Sequence, residues 1–192
     1  MHRRSIALVV LVFALALPLS ASQFLQLPFD RLARESTLIV RGTLGNTWSA
    51  WDDAHQVIYT YATVRVQRYF GESTGPDTLL VREVGGTVGD YTQEAIGFPT
   101  LRDGQDVVLF LGKWEDGVAY RIHAYNQGKL LVSMRGGVER LVEDPERQGE
   151  ARESHGAAPA LRVESEGLTI DELAEMVDAA RAGRPVAERQ QQ

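Results

Sequence analysis

Residues 57–70 read VIYTYATVRVQRYF, and the fold turns on this stretch. β-Branched and aromatic side chains fill it, and neither Gly nor Pro interrupts it, which is the composition of a pleated, half-buried strand. In its second half Ala62, Val64 and Val66 share one face, while Thr63, Arg65 and Gln67 share the other. In its first half Tyr59 and Tyr61 load the opposite face, with Ile58 on the first. At about 3.3 Å per residue such a strand spans roughly 45 Å, against a usual ~20 Å. A ribbon of that length bends and serves two sheets, as strands of small closed barrels do.

Working outward, residues 28–35 (PFDRLARE) predict a short helix, with Pro28 in its first turn and Phe29 and Leu32 on one face. Leu38, Val40 and Leu44 alternate with Thr37, Arg41 and Thr43 as a strand, in which Gly42 marks a bulge or a close backbone approach. Residues 48–56 (WSAWDDAHQ) predict a hairpin tip. Beyond the long strand come a loop at 71–77, a third strand at 78–84, a glycine-rich turn at 85–90 and an irregular segment at 91–100. Residues 107–111 (VVLFL) are apolar throughout, the mark of a strand buried on both faces. The Asp116-Gly117 turn leads into a strand at 118–124, followed by strands at 129–133 and 138–142. The expected class is mainly β: a small OB-like barrel of five to six strands over residues 23–142, with short flanking helices and a small sandwich as the alternative.

The ends have a different character. Residues 1–22 place Arg3 and Arg4 before the apolar run from Ile6 to Leu17, then Pro18 and the small residues Ser20, Ala21 and Ser22, which is the layout of a secretory signal peptide. The run is too short to span about 30 Å of hydrocarbon, so no membrane span is expected after leader cleavage, and the expected location is periplasmic or secreted. Residues 143–168 are charged and carry Pro145, Gly149, Gly156 and Pro159, as a flexible linker does. Thr169 with Glu172 forms a capping-box pattern for an amphipathic helix over 169–183, with Ile170, Leu173, Val177 and Ala180 along one face. Residues 184–192 predict a disordered tail.

Composition narrows the function classes. Apolar residues make up 44% of the chain, enough for a real core. The formal charge is −6, falling to −8 if Arg3 and Arg4 leave with the leader. A surface of that sign repels phosphate backbones, so nucleic acid is not an expected partner. There is no Cys, which removes disulfides, thiolate catalysis and Cys-based zinc sites. His2, His55, His123 and His155 never fall at ligand spacing, and neither HExxH nor GxSxG occurs. No metal, cofactor or catalytic residue is therefore assigned. An unfamiliar enzyme site would have to draw on Glu83, Asp90, Tyr91 and His123.

The residues that stand out for binding form two groups. Trp48, Trp51, Asp52 and Asp53 lie together at the predicted hairpin tip, where aromatics beside carboxylates stack on a sugar face or anchor a protein. Gly85, Gly86, Gly89, Asp90 and Tyr91 form the glycine turn, which lacks the Lys and following helix of a phosphate loop and reads first as a barrel corner. The expected partner is a protein or a cell-surface polymer.

Several segments together carry a resemblance: residues 38–42 (LIVRG), 59–71 (YTYATVRVQRYFG), 81–90 (VREVGGTVGD), 98–112 (FPTLRDGQDVVLFLG) and 126–132 (NQGKLLV). In them the chain resembles a group of exported bacterial proteins of unknown function, some found with matrixin-like zinc proteases. The expected architecture is also similar to netrin-like barrels, which include tissue inhibitors of metalloproteases. The resemblance implies, as an alternative function, an inhibitor or maturation partner of an exported metalloprotease. Those inhibitors bind zinc through an amino-terminal Cys, and this chain has none.

Overall fold

In the computed structural model the described residues are 27–145 and 167–186. The predicted signal peptide, most of the predicted linker and residues 187–192 lie outside them. The long ribbon forms as strand β2 (Ile58–Tyr69). Its partner β1 (Leu38–Trp51) is longer still and runs through Gly42 and Gly45 to the second tryptophan. The predicted tip at 48–56 is therefore strand as far as Trp51, and the turn itself occupies the residues that follow.

Strand β3 (Thr78–Val84) pairs with β2. The chain then makes a small hairpin from β4 (Gly86–Val88) and β5 (Tyr91–Gln93), so residues 91–93 are strand rather than irregular. Strand β6 (Asp106–Lys113) lies along β1, and the short β7 (Tyr120–Ile122) joins β6 to β3. The order β1-β2-β3-β7-β6 closes because β6 also pairs with β1. This is a five-stranded barrel in OB-type order, antiparallel except for β3 and β7, which run parallel and share the single pair Val81–Tyr120. A 3-10 turn (Tyr125–Gly128) leads to β8 (Lys129–Arg135), which uses the other half of the β6 edge; β9 (Val138–Glu143) and β10 (Leu168–Thr169) follow.

Two bulges bend the β1–β2 ribbon. Arg41 faces Arg68 but Gly42 faces Val66, so β2 carries the extra residue Gln67. A Cβ on Gly42 would stand 2.5 Å from the Arg65 carbonyl oxygen, which is the close approach that only glycine permits. Further on, Gly45 faces Thr63 while Trp48 faces Tyr61, so β1 carries an extra residue there, with Asn46 at φ 47°.

The apolar run in β6 explains why the core has two parts. Val107, Leu109 and Leu111 point into the barrel with Val40, Leu44, Ala62, Val64, Leu79 and Val81. Val108 and Phe110 point outward and are covered by helices α1 (Phe29–Glu35) and α2 (Ile170–Arg181). Thr169 and Glu172 form the predicted capping box. Leu173, Val177 and Ala180 are buried against Phe29, Leu32 and Ala33. Arg181 extends this contact by donating to the Gly71 carbonyl and the Ser73 hydroxyl, both at 2.8 Å.

Candidate functional site

The extra residue at Asn46 decides which way Trp48 points. Before it, the even positions Val40 and Leu44 enter the barrel; after it, the odd position Ser49 turns inward, its hydroxyl 3.0 Å from that of Thr60. Trp48 therefore projects from the outer face. Its indole stacks on Tyr61 across the β1–β2 pair, with centroids 5.2 Å apart and planes 9° apart, and 44% of the residue remains exposed. Tyr61 in turn faces Arg82 on β3.

The Arg82 guanidinium sits over three rings, 4.5 Å from Trp114, 5.0 Å from Tyr59 and 6.0 Å from Tyr61. Its Nη2 pairs with Asp116 at 2.8 Å, while its Nε is buried without a hydrogen-bond partner among the described residues. Trp114 donates its indole N–H to the Arg82 carbonyl at 2.8 Å, locking the loop between β6 and β7 onto β3. Asp116 also accepts the backbone N–H of Val118 at 2.9 Å, and that bond, with the Arg82 charge, holds its carboxyl below the usual carboxylate range. Arg121 on β7 is exposed, 6.0 Å from the Trp114 ring, and no carboxylate forms an ion pair with it among the described residues. The outer face of β1, β2, β3 and β7 thus carries one continuous row: Trp48, Tyr61, Arg82, Trp114, Arg121. Beside it lies a shallow open groove lined by Thr43, Gly45, Thr63, Arg65 and Thr78.

The remaining predicted site residues lie elsewhere. Trp51, three positions past Trp48, belongs to the opposite face of the ribbon. Its ring is 5.8 Å from Tyr91 on β5 and 6.2 Å from His55. Asp52 shapes the turn by accepting the N–H groups of Gln56 (2.6 Å) and Val57 (3.0 Å), which lowers its pKa. Asp53 is exposed in the same turn. Gly85 and Gly86, at φ 101° and 134°, turn the chain from β3 into the β4–β5 hairpin, and a Cβ on Gly86 would collide with the hydroxyls of Ser49 and Thr60. Gly89 (φ 58°) and Asp90 form the hairpin turn, next to the 67% exposed Tyr91. A Trp51–Tyr91 ring contact joins the two predicted groups, while Trp48 lies on the other face of the ribbon, stacked on Tyr61.

Comparison with family models, with curated proteins and with solved structures finds no match.

The four residues considered for an enzyme site do not converge. Glu83 is 2% exposed inside the barrel and accepts the Ile122 N–H of β7. Burial pushes its carboxyl up to about 8, against the opposing effects of that hydrogen bond and Arg121. His123 is partly buried with Nε2 3.5 Å from a Glu35 oxygen of α1. Asp90 and Tyr91 are on the separate hairpin. Among the described residues no three His, Asp or Glu side chains are grouped as metal ligands would be.

The row's other members, Tyr61, Arg82, Trp114 and Arg121, were not singled out from the sequence. A signal for the first two existed: counting back from the turn closed by Asp52 puts Trp48 opposite Tyr61, and the next strand brings Arg82 into line. The loop-borne Trp114 and the parallel β7 carry no such local signal.

Proposed function

We propose that this chain is an exported, non-catalytic binding module for a protein or a cell-surface polymer, and that the outer face of β1, β2, β3 and β7 is its contact surface. The observation that carries the reading is Trp48, a large aromatic held rigid against Tyr61 yet 44% exposed. A pre-positioned aromatic loses little conformational freedom on binding, which is why Trp dominates contact energetics at recognition surfaces. The layout of residues 1–22 supports export.

The test compares Trp48→Ala and Trp51→Ala for capture of cross-linked envelope partners and for melting temperature. Trp48→Ala should weaken capture and leave melting nearly unchanged, whereas Trp51→Ala should act mainly on stability through its contact with Tyr91. If Trp48→Ala leaves capture intact, or simply unfolds the protein, the face is not the contact surface.

A further inference from the structure

The outer row is more specific than a generic sticky face. β2 is paired along both edges, whereas the far edge of β3 meets β7 only at Val81–Tyr120 and has its Arg82 carbonyl taken by the Trp114 indole N–H. What this face presents outward is ring faces and charges. Trp48 and Arg121 stand at the two ends of the row, about 14 Å apart when followed along the curved sheet at the usual strand spacing, and the groove beside them is lined by Thr43, Thr63 and Thr78.

Guanidinium groups recur along this face. In a molecule of formal charge −6, Arg65, Arg82 and Arg121 lie along this face, where Asp116 forms an ion pair with Arg82 and Asp103 accepts the Thr47 N–H at the Trp48 end. Screening over about 8–10 Å lets such a local group act independently of the net charge. A polymer as densely charged as DNA, with one negative charge per about 1.7 Å, would still meet the acidic remainder of the surface. A polyuronate, with one carboxylate per sugar ring, is sparser and presents flat C–H faces to an indole.

Building on the binding-module reading, we propose that this row is a subsite for a carboxylate-bearing polysaccharide, with one sugar ring stacked on Trp48 and a uronate carboxylate paired with Arg121. Arg82, already paired with Asp116, orients the rings between them and keeps Trp114 in place.

The test is affinity electrophoresis of the purified protein in gels containing polygalacturonate, alginate or the neutral glucan dextran. Retardation is expected with the polyuronates and not with dextran, and it should fade at high salt. Arg121→Gln should weaken polyuronate binding about fivefold and Trp48→Ala about tenfold. Arg121→Gln alters an exposed side chain only, so it keeps the test decisive if Trp48→Ala fails to fold. Equal retardation by dextran, retardation insensitive to both substitutions, or stronger binding to single-stranded DNA would each overturn the assignment. No retardation by either polyuronate would also overturn it. In that case, capture of an envelope partner that still depends on Trp48 would leave the binding-module reading standing, and its loss would remove both.

Discussion

Glu83→Gln separates the cost of a buried acid from its hydrogen bond. The Glu83 carboxyl is enclosed by the barrel and pushed from 4.5 up to about 8, chiefly by burial. Below pH 4.5 the folded and unfolded chains both carry the protonated acid, and the neutral group contributes its full share of stability. As pH rises through 4.5 the unfolded chain ionises and gains free energy, while the folded chain stays neutral until about pH 8. Stability is therefore lost across that window and levels off above it. At about 1.4 kcal/mol per pH unit the whole loss is about 5 kcal/mol, of which about 3 kcal/mol has already gone at pH 7. A glutamine keeps an acceptor for the Ile122 N–H and cannot ionise. Urea unfolding followed by tryptophan fluorescence, from pH 4.5 to 8.5, should show the variant drawing ahead of the wild type steadily, to about 3 kcal/mol at pH 7. The amide N–H₂ adds an offset that does not vary with pH, so the slope is the informative quantity. Parallel pH curves for the two proteins would refute the reasoning, because they would mean that Glu83 ionises equally easily in both states.

Three further perturbations follow from the packing. Gly42→Ala should destabilise by about 1–3 kcal/mol in denaturant titration, since its methyl would stand 2.5 Å from the Arg65 carbonyl oxygen and 2.7 Å from Val64 Cγ1. Lys129 is fully buried, pairs with Asp144 at 2.7 Å and donates to Gln105 at 2.9 Å; Lys129→Met should cost about 3–5 kcal/mol by removing the cation beside a buried carboxylate, and adding Asp144→Leu should recover part of that loss. Leu173→Ala should cost about 2–5 kcal/mol if α2 belongs to the same cooperative unit as the barrel, and calorimetry showing an unchanged main transition would mean that the helix melts separately.

Much of the architecture could be read locally because it is written in local chemistry. The alternation and β-branching of residues 58–69 require a strand, the all-apolar VVLFL segment requires two buried faces, and Thr169 with Glu172 requires a helix start. Gly42 announced a close backbone contact, which the bulge opposite Gln67 supplies. The candidate site was less legible. Trp48 and Trp51 look like one cluster in sequence, yet they occupy opposite faces of a ribbon, and Glu83 looks like a strand-end carboxylate although it lies inside the barrel.

By itself, the sequence determined the strand-rich class, the amphipathic terminal helix and the absence of thiol chemistry, since periodicity and residue type act over a few neighbours. Tertiary structure alone decided that β1 closes the barrel against β6, that Arg82 and Arg121 line up behind Trp48, and that Lys129 is buried with Asp144. The physical reason is the two-residue period of a strand. One extra residue near Asn46, at φ 47°, exchanges inside for outside for every side chain that follows, and only pairing with a distant partner fixes where that extra residue goes.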